Sequence, residues 1–418
     1  MKEGYKDSVL GKIPKSWEVV TFGSTLSSSP EYGGNASAKE FNNDTFRYIR
    51  ITDILENGKL RQDNYVGISQ EEGRQCKLKQ DDILIARTGN TVGKSYLYDS
   101  IDGSCSFAGY LIRFSLNKTI LQPKYISQYL HSKMFWNWIN TTVRTGAQPN
   151  VNSKEYQGMK IPLPPLPEQQ KIAEILSTVD AKIEVIDQQI TATQALKKGL
   201  MQRLLTKGIG HTEFKDSPLG MIPKSWEVVQ LGELATIERG KFQHRPRNDP
   251  RFYGGKYPFV QTGDIAKSNG KILDYSQTLN ELGLSVSKLF PSGTIVMTIA
   301  ANIGDTAISQ FAISFPDSLV GIISKKGMNN IFLRYYLVSQ KNSLDQLATI
   351  SAQKNINLET LRPYKTPKPP LIEQQKIADI LSSVDEKLEV LKEKKTHYQE
   401  LKQGLMQQLL TGKIRATV

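Results

Sequence analysis

The chain of 418 residues is written twice, and this constrains its fold more than any other feature. DSVLGKIPKSWEVVTFG from Asp7 and DSPLGMIPKSWEVVQLG from Asp216 agree at 13 of 17 positions, at an offset of 209. PPLPEQQKIAEILSTVDAKIEVI from Pro164 returns as PPLIEQQKIADILSSVDEKLEVL from Pro369, at an offset of 205. Those blocks continue to KKGLMQRLLT and KQGLMQQLLT. Between the matching ends, residues 24–160 and 233–365 share only anchors. YIRITDI answers FVQTGDI, DDILIARTGNTVG answers GTIVMTIAANIG, and TGAQPNVN answers ISAQKNIN. A duplicated frame therefore carries two different inserts, the organisation of a protein doing one job on two different targets.

The frame reads as a helix pair. After each proline cluster, apolar residues recur mostly at steps of three and four. They are Ile172, Ile175, Val179, Ile183, Ile186, Ile190, Leu196, Leu200 and Leu204, then Ile377, Ile380, Val384, Leu388, Leu391, Leu401, Leu405 and Leu409. Thr193, Lys395 and Tyr398 fill the gaps. This is the pattern of an amphipathic helix of coiled-coil type. Proline, tolerated only in a first turn, fixes each start. Each helix of about 40 residues is on the order of 60 Å long, and its apolar stripe must be covered. The nearest equivalent surface is the repeat itself. An antiparallel pair packed through Ile172, Ile175, Val179, Ile183, Ile186, Ile377, Ile380, Val384, Leu388 and Leu391 would place one insert at each end, related by a pseudo-two-fold axis. The plainer alternative is one core helix inside each domain. Gly199 and Gly404, which weaken their helices by about 1 kcal/mol each, suggest a close approach to the other helix or to a partner.

The inserts read as mixed α/β modules. Strands are expected at Trp17–Phe22, Arg47–Ile54, Asp82–Arg87, Lys94–Tyr98 and Gly109–Leu116, then at Trp226–Leu231, Pro258–Gln261, Thr294–Ile299 and Leu319–Ile323. Aromatic-rich helical stretches close each insert near Lys124–Val143 and Asn330–Leu347. The expected fold class is α+β, with domains at 1–163 and 208–368 and long helices at 164–207 and 369–415.

Charge locates the binding surface. The net charge is +13, and the two helical segments carry only +2 of it, leaving +11 on the inserts. A basic excess of this kind suits a polyanion, most often nucleic acid. The candidate contacts in the first insert are Arg50, Arg87, Thr88, Asn90, Lys94, Arg144, Gln148 and Asn152. Those in the second are Arg239, Lys241, Gln243, Arg245, Arg247, Asn302, Gln353, Lys354 and Asn357. Arg forks onto guanine edges or phosphates, and Gln and Asn offer the donor–acceptor pair adenine requires. The loop Arg239–Lys256 has six basic residues against one acid, which fits a groove or, more plainly, a solvated surface. Gln148, Asn152, Gln353 and Asn357 recur in both copies, so they serve base reading, the phosphate backbone or the shared fold. Trp17 and Trp226 are expected to seal each module against its core.

Several chemistries are missing. Two cysteines and four scattered histidines suggest neither a disulfide framework nor a zinc site. GNTVGKS from Gly89 is one residue short of a phosphate loop. No Asn/Asp-Pro-Pro-aromatic run of an amino-methyltransferase occurs, and Pro316–Asp317 is not followed by the Glu-x-Lys of a metal-dependent nuclease. No apolar run approaches the roughly 20 residues of a membrane span, and no secretory signal opens the chain, so the cytoplasm is the expected compartment.

With its two divergent inserts, each opened by G-x-IPKSWEVV and closed by PLPPLPEQQKIAEIL or KPPLIEQQKIADIL, the chain resembles the specificity subunit of type I restriction–modification systems. The resemblance spans nearly all of it. It implies that the inserts are target recognition domains, each reading half of a bipartite, non-palindromic double-stranded DNA site. It further implies that the helices set the gap between half-sites and dock two methyltransferase subunits, with restriction subunits joining the full complex. S-adenosylmethionine, ATP and magnesium would then belong to those partners, and this chain would bind no cofactor and catalyse nothing. The alternative is a self-contained endonuclease or methyltransferase with unrecognised motifs.

Overall fold

The computed structural model describes residues 4–143, 149–244, 246–300, 302–349 and 355–416. The chain divides into two compact units, Met1–Gln188 with Glu393–Val418, and Gln189–Lys392. Each contains one module, half of a central helix, Leu166–Lys207, and half of a distal helix, Leu371–Leu409.

In unit 1 an antiparallel sheet runs in the order Glu31–Tyr32, Leu111–Phe114, Ile83–Ala86, Ser95–Leu97. A second sheet orders Cys105–Phe107, Thr45–Ile49, Val66–Ser69 and Lys39–Glu40, its first pair parallel. Ile83–Ala86 and Leu111–Phe114 are buried throughout, as strands covered on both faces are; in the second, Arg113 interrupts the apolar run and is satisfied by the Lys77 carbonyl at 2.7 Å and by Glu31. The repeated Glu18–Thr21 pairs with Lys160–Leu163, so the two ends of the module meet just before the helix begins. Unit 2 repeats the plan. Ala235–Arg239, Leu319–Ser324, Ile295–Thr298, Thr306–Ser309 and Lys271–Ile272 form its main sheet, and Glu227–Gln230 pairs with Lys365–Lys368. The expected strands are all present within a few residues. The helical stretches each break in two, at Pro123–Tyr129 with Lys133–Thr142 and at Asn330–Ser339 with Lys341–Thr349. Cys76 and Cys105 are free, and burial pushes the Cys105 thiol up to about 12.

The repeated Glu-Gln-Gln motif fastens each helix start to its module. Trp17 and Trp226 are fully buried, and each indole Nε1 donates to a helix glutamate, Glu168 or Glu373, at 2.9 Å. Gln169 donates to the Pro164 carbonyl at 2.8 Å and accepts from the Gln122 N–H at 2.8 Å. Gln374 does the same with Pro369 at 2.8 Å and Asn329 at 2.7 Å. The second ring of partners comes from the opposite helix's end. Arg415 holds Glu168 with two bonds, at 2.6 and 2.8 Å, and His211 meets Glu373 at 2.8 Å.

The helix halves pack antiparallel within each unit. In unit 1, Asp180 pairs with Lys402 at 2.7 Å and Asp187 with Lys395 at 2.6 Å, so one number rises as the other falls. Ile172, Ala173 and Leu176 share a core there with Met406, Leu409 and Leu410. In unit 2, Lys197 pairs with Asp385 at 2.5 Å, and Leu204 and Leu205 share a core with Ile377, Ala378 and Leu381.

The seam follows an unbroken four–three alternation through Ile172, Leu176, Val179, Ile183 and Ile186, and through Ile377, Leu381, Val384, Leu388 and Leu391. All of these are buried except the half-buried Ile183. Two expected packing residues fall outside it. Ile380 is 37% exposed, and Ile175 is half-buried on the flank of the unit 1 core. A step of three from Ile172 or Ile377 lands one position short of the true seam. Leu196 and Leu401 are likewise exposed. Gly199 and Gly404 are overturned as points of close approach to the other helix. A Cβ at either would have no described atom within 4 Å.

Candidate nucleic-acid interface

In both modules the chain segment that precedes the long helix returns across the end of a central strand. In unit 1, Thr88 bridges Asn150, Gly89 donates to the Pro149 carbonyl at 2.9 Å, and Val151 donates to the Arg87 carbonyl at 2.9 Å. In unit 2, Ala300 bridges Asn355 and Ile356 donates to the Ile299 carbonyl at 3.1 Å. Arg87, Thr88 and Asn152 thus come together on one edge of module 1, although Asn152 is 65 positions beyond Arg87.

Two tyrosines that sequence reasoning missed complete this edge. The Arg87 guanidinium stands 4.9 Å from the Tyr32 ring centre. Tyr32 donates to the Ser153 hydroxyl at 3.2 Å and accepts from the Ser153 N–H at 3.3 Å. Burial alone would raise the Tyr32 phenol, but the Ser153 bonds and the Arg87 charge outweigh it and hold the phenol below its ordinary value. The Arg87 N–H donates to the carbonyl of Tyr110, whose side chain is 60% exposed. Arg87 Nε is itself buried with no hydrogen-bond partner among the described residues. A half-buried guanidinium against one exposed tyrosine ring, with a second exposed tyrosine held nearby by a backbone bond, can fork onto a base edge or phosphate while a ring stacks. Asn90 is exposed beside this edge.

Arg50 and Lys94 do not join it. Arg50 folds back onto Asp53, at 2.9 and 3.1 Å, which raises its pKa. Lys94 pairs with Glu56 at 2.7 Å. Both remain partly exposed, but their charge is matched locally.

Asn152 and Asn357 have a structural task. Asn152 caps the helix Ser153–Gly158, accepting from Lys154 and Glu155 N–H at 2.9 and 3.0 Å, while Glu155 reaches back to the Asn152 N–H at 2.7 Å. Asn357 accepts from Thr360 N–H at 2.7 Å at the start of Leu358–Leu361. Their recurrence is explained by the shared fold, since asparagine is among the best N-caps. The local signature was present, an Asn followed three residues later by Glu in Asn152–Glu155.

Module 2 builds its basic face around Asp317. Arg239 donates to the Asp317 carbonyl at 2.6 Å, and Arg247 pairs with its carboxylate. Tyr253 donates to the Arg247 carbonyl. Beside them Arg247, Asn248, Tyr253, Gln261 and Gln277 line a hollow of about 200 Å³ floored by Phe242 and Phe259. Gln261, Gln277 and Tyr253 were not foreseen, because no local motif marks them. Lys241 and Gln243 are exposed on the same loop, held by backbone bonds to Phe315 and Val286 at 3.0 and 3.1 Å. Asn302 is exposed at the strand end equivalent to Asn90. Along the loop, Arg251, with help from His244, holds the Asp249 carboxyl well below the usual range. Tyr32 and Arg239 occupy matching ladder positions, opposite Ile112 and Val320. The two modules therefore present different side chains from the same place in the fold. Arg144, Gln148, Arg245, Gln353 and Lys354 lie outside the described residues.

Among the described residues, no group of three or more His, Cys, Asp or Glu side chains is placed to hold a metal, and no helix is long and apolar enough to cross a membrane.

Comparison with known proteins agrees with this geometry. The profile of the type I restriction modification DNA specificity domain matches residues 14–193 and 223–401, one match per repeat. A Methanocaldococcus jannaschii protein named as the MjaX type I restriction enzyme specificity subunit is 31% identical over 426 residues, covering 99% of this chain and 97% of its own. The MjaVIII specificity subunit of the same organism is 29% identical over 429 residues, covering 99% and 96%. In fold, the chain is similar to the crystal structure of a type I restriction–modification S subunit from M. genitalium. That likeness has a TM-score of 0.60 at 15% identity and covers 94% of this chain and 96% of the other.

Proposed function

Because the chain belongs to the type I restriction modification DNA specificity family, we propose that its two modules read the two halves of one bipartite, asymmetric DNA site. The chain is a non-catalytic specificity subunit, and a self-contained endonuclease or methyltransferase finds no support among its relatives. The observation that carries the bipartite reading is the matched position of Tyr32 and Arg239. One frame presents an Arg–Tyr edge in module 1 and a paired-arginine edge in module 2. Equal scaffolds with unequal edges read unequal half-sites.

Affinity comes mainly from phosphate contacts of the basic modules, with counterion release making it fall steeply with salt. Specificity comes from side chains that reach base edges. The helix pair spaces the half-sites and docks two methyltransferase subunits, which carry S-adenosylmethionine. Restriction subunits bring ATP and magnesium to the full assembly. Methylation needs the target adenine out of the stack, and the modules grip the flanking duplex while a partner extrudes it. The complex works in the cytoplasm.

The test is co-expression with the neighbouring methyltransferase in a methylation-free host, followed by long-read mapping of N6-methyladenine. A two-part motif with a fixed gap, absent without this chain, is expected. Replacing residues 24–160 should alter one half only, and Arg87→Ala should relax that half, costing about 1–3 kcal/mol of discrimination at one base pair. Methylation without the chain, or at a single continuous motif, would refute the two-reader scheme.

A further inference from the structure

The two units fill equivalent space differently. In unit 1 a tight turn descends towards the helix halves, with Leu55 N–H bonded to the Lys59 carbonyl at 2.9 Å. Lys59 reaches Glu184 on the central helix at 2.7 Å, and Glu56 takes Lys94 at 2.7 Å. Gly58, at φ +73°, lies so close over the His131 ring that a Cβ would meet its Nε2 at 2.4 Å. The protein's own carboxylates and lysines close the gap between module and helices.

Unit 2 keeps the frame and loses the closure. Asp264, Ile265, Gly270 and Lys271 follow the order of Asp53, Ile54, Gly58 and Lys59, but Lys267 stands in the place of Glu56. Glu389 holds the position of Glu184 in the repeated helix, yet neither it nor Lys271 has an ion-pair partner among the described residues. An open cleft of about 710 Å³ results, lined by Arg334, Lys197, Lys198, Lys341, Asp305 and Asp385 among others.

Charge in the cleft is unevenly matched. Asp385 neutralises Lys197, and Asp305 neutralises Lys341. Arg334 is half-buried, its guanidinium pressed against Gly270 at φ +91° and 5.2 Å from the Tyr335 ring centre, and its Nε donates to the Thr306 carbonyl at 3.4 Å. No described carboxylate lies within ion-pair distance of it or of Lys198. Burial draws the Arg334 pKa below the usual arginine value, although Tyr335 and Asp385 oppose this. A guanidinium partly out of water with no carboxylate in direct contact is unfavourable. It is also the group best shaped to take an oxyanion with two parallel bonds.

We propose that the cleft of unit 2 is a binding site for a small oxyanion, a phosphate or carboxylate group received by Arg334 and Lys198. Its size lies in the range of ordinary ligand pockets. Its walls also carry Asp305, Asp385 and Glu389, which repel a continuous polyanion and admit a single anionic group shielded between lysines. The site owes nothing to the DNA-reading edges, which use other residues.

The experiment is calorimetric titration of the full chain, at constant ionic strength set with sodium chloride, with inorganic phosphate and separately with glutarate. Saturable binding of at least one is expected, weakened about tenfold or more in Arg334→Gln, since a charge-assisted bond contributes roughly 1.5–3 kcal/mol. Lys198→Ala, an exposed change that leaves the core untouched, should weaken it several-fold, and Arg50→Gln should leave it unchanged. Phosphate alone saturating would identify a phosphate ester as the natural group, and glutarate alone a carboxylate. No saturable heat from either, or equal affinity in the Arg334 and Lys198 variants, would overturn the site. Displacement of the bound anion by duplex DNA would make the cleft part of the nucleic-acid surface, and the proposal would fail.

Discussion

The closure of module 1 by the pair Trp17–Glu168 can be tested quantitatively. Trp17 is 0% exposed and Glu168 is 3% exposed, so neither group can turn to water if the other is removed. Glu168→Ala leaves the indole N–H buried without an acceptor, which costs about 1–3 kcal/mol. It also releases Arg415, but that side chain is 43% exposed and rehydrates, so its share is below about 1 kcal/mol. The total expected loss is roughly 1–4 kcal/mol, confined to unit 1. Trp17→Phe removes the donor while Arg415 still satisfies the carboxylate. The double variant should therefore show a coupling energy of about 1.5–3 kcal/mol, the range for a hydrogen bond to a charged group. Urea unfolding followed by tryptophan fluorescence reports it, because Trp17, Trp136 and Trp138 lie in unit 1 and only Trp226 in unit 2. Additivity of the two changes within about 0.5 kcal/mol, or an unshifted unfolding midpoint in Glu168→Ala, would show that packing alone closes the module.

Two further outcomes follow from the helix pair and its surroundings. Gly199→Ala and Gly404→Ala place a methyl group in open space on exposed helix, so each should stabilise the isolated chain by about 1 kcal/mol; a lower melting temperature would contradict the observed clearance. His131 is held neutral, its pKa lowered to about 4 first by burial and then by Lys402, against the pull of Asp180 and Glu56. A depressed base leaves stability whole above its unfolded value near 6.5 and removes it as pH falls towards 4, at most about 3 kcal/mol. Urea midpoints of His131→Asn against the parent chain, measured across this window, should lose that acid-side decline; parallel curves would refute it.

Much of this architecture is legible in one dimension because its causes are periodic or local. The duplicated frame, the proline-opened helices and the sealing role of Trp17 and Trp226 follow from repetition, helical spacing and residue size. The seam itself is less accessible. Ile175 and Leu176, or Ile380 and Leu381, are neighbouring apolar residues, and hydrophobicity cannot choose between them until a partner helix covers one. Asn152 carried a cap signature with Glu155 three residues on, whereas Asn357 has Thr360 there, and as recurring amides both also suited base reading.

Side-chain charge is where the linear reading stops. Arg50 finds Asp53 three positions on, within reach of a turn that sequence shows. Arg239 and Arg247 converge on Asp317 from 78 and 70 positions away, Arg87 meets Tyr32, and Arg334 forms no direct ion pair among the described residues. Counting charges and finding repeats establishes that two basic readers hang on one duplicated helical frame. Which cations stay unmatched, and so remain available to an anion, depends on distances of a few ångströms between residues far apart in the chain, because electrostatic pairing acts through space while sequence records only order along the backbone.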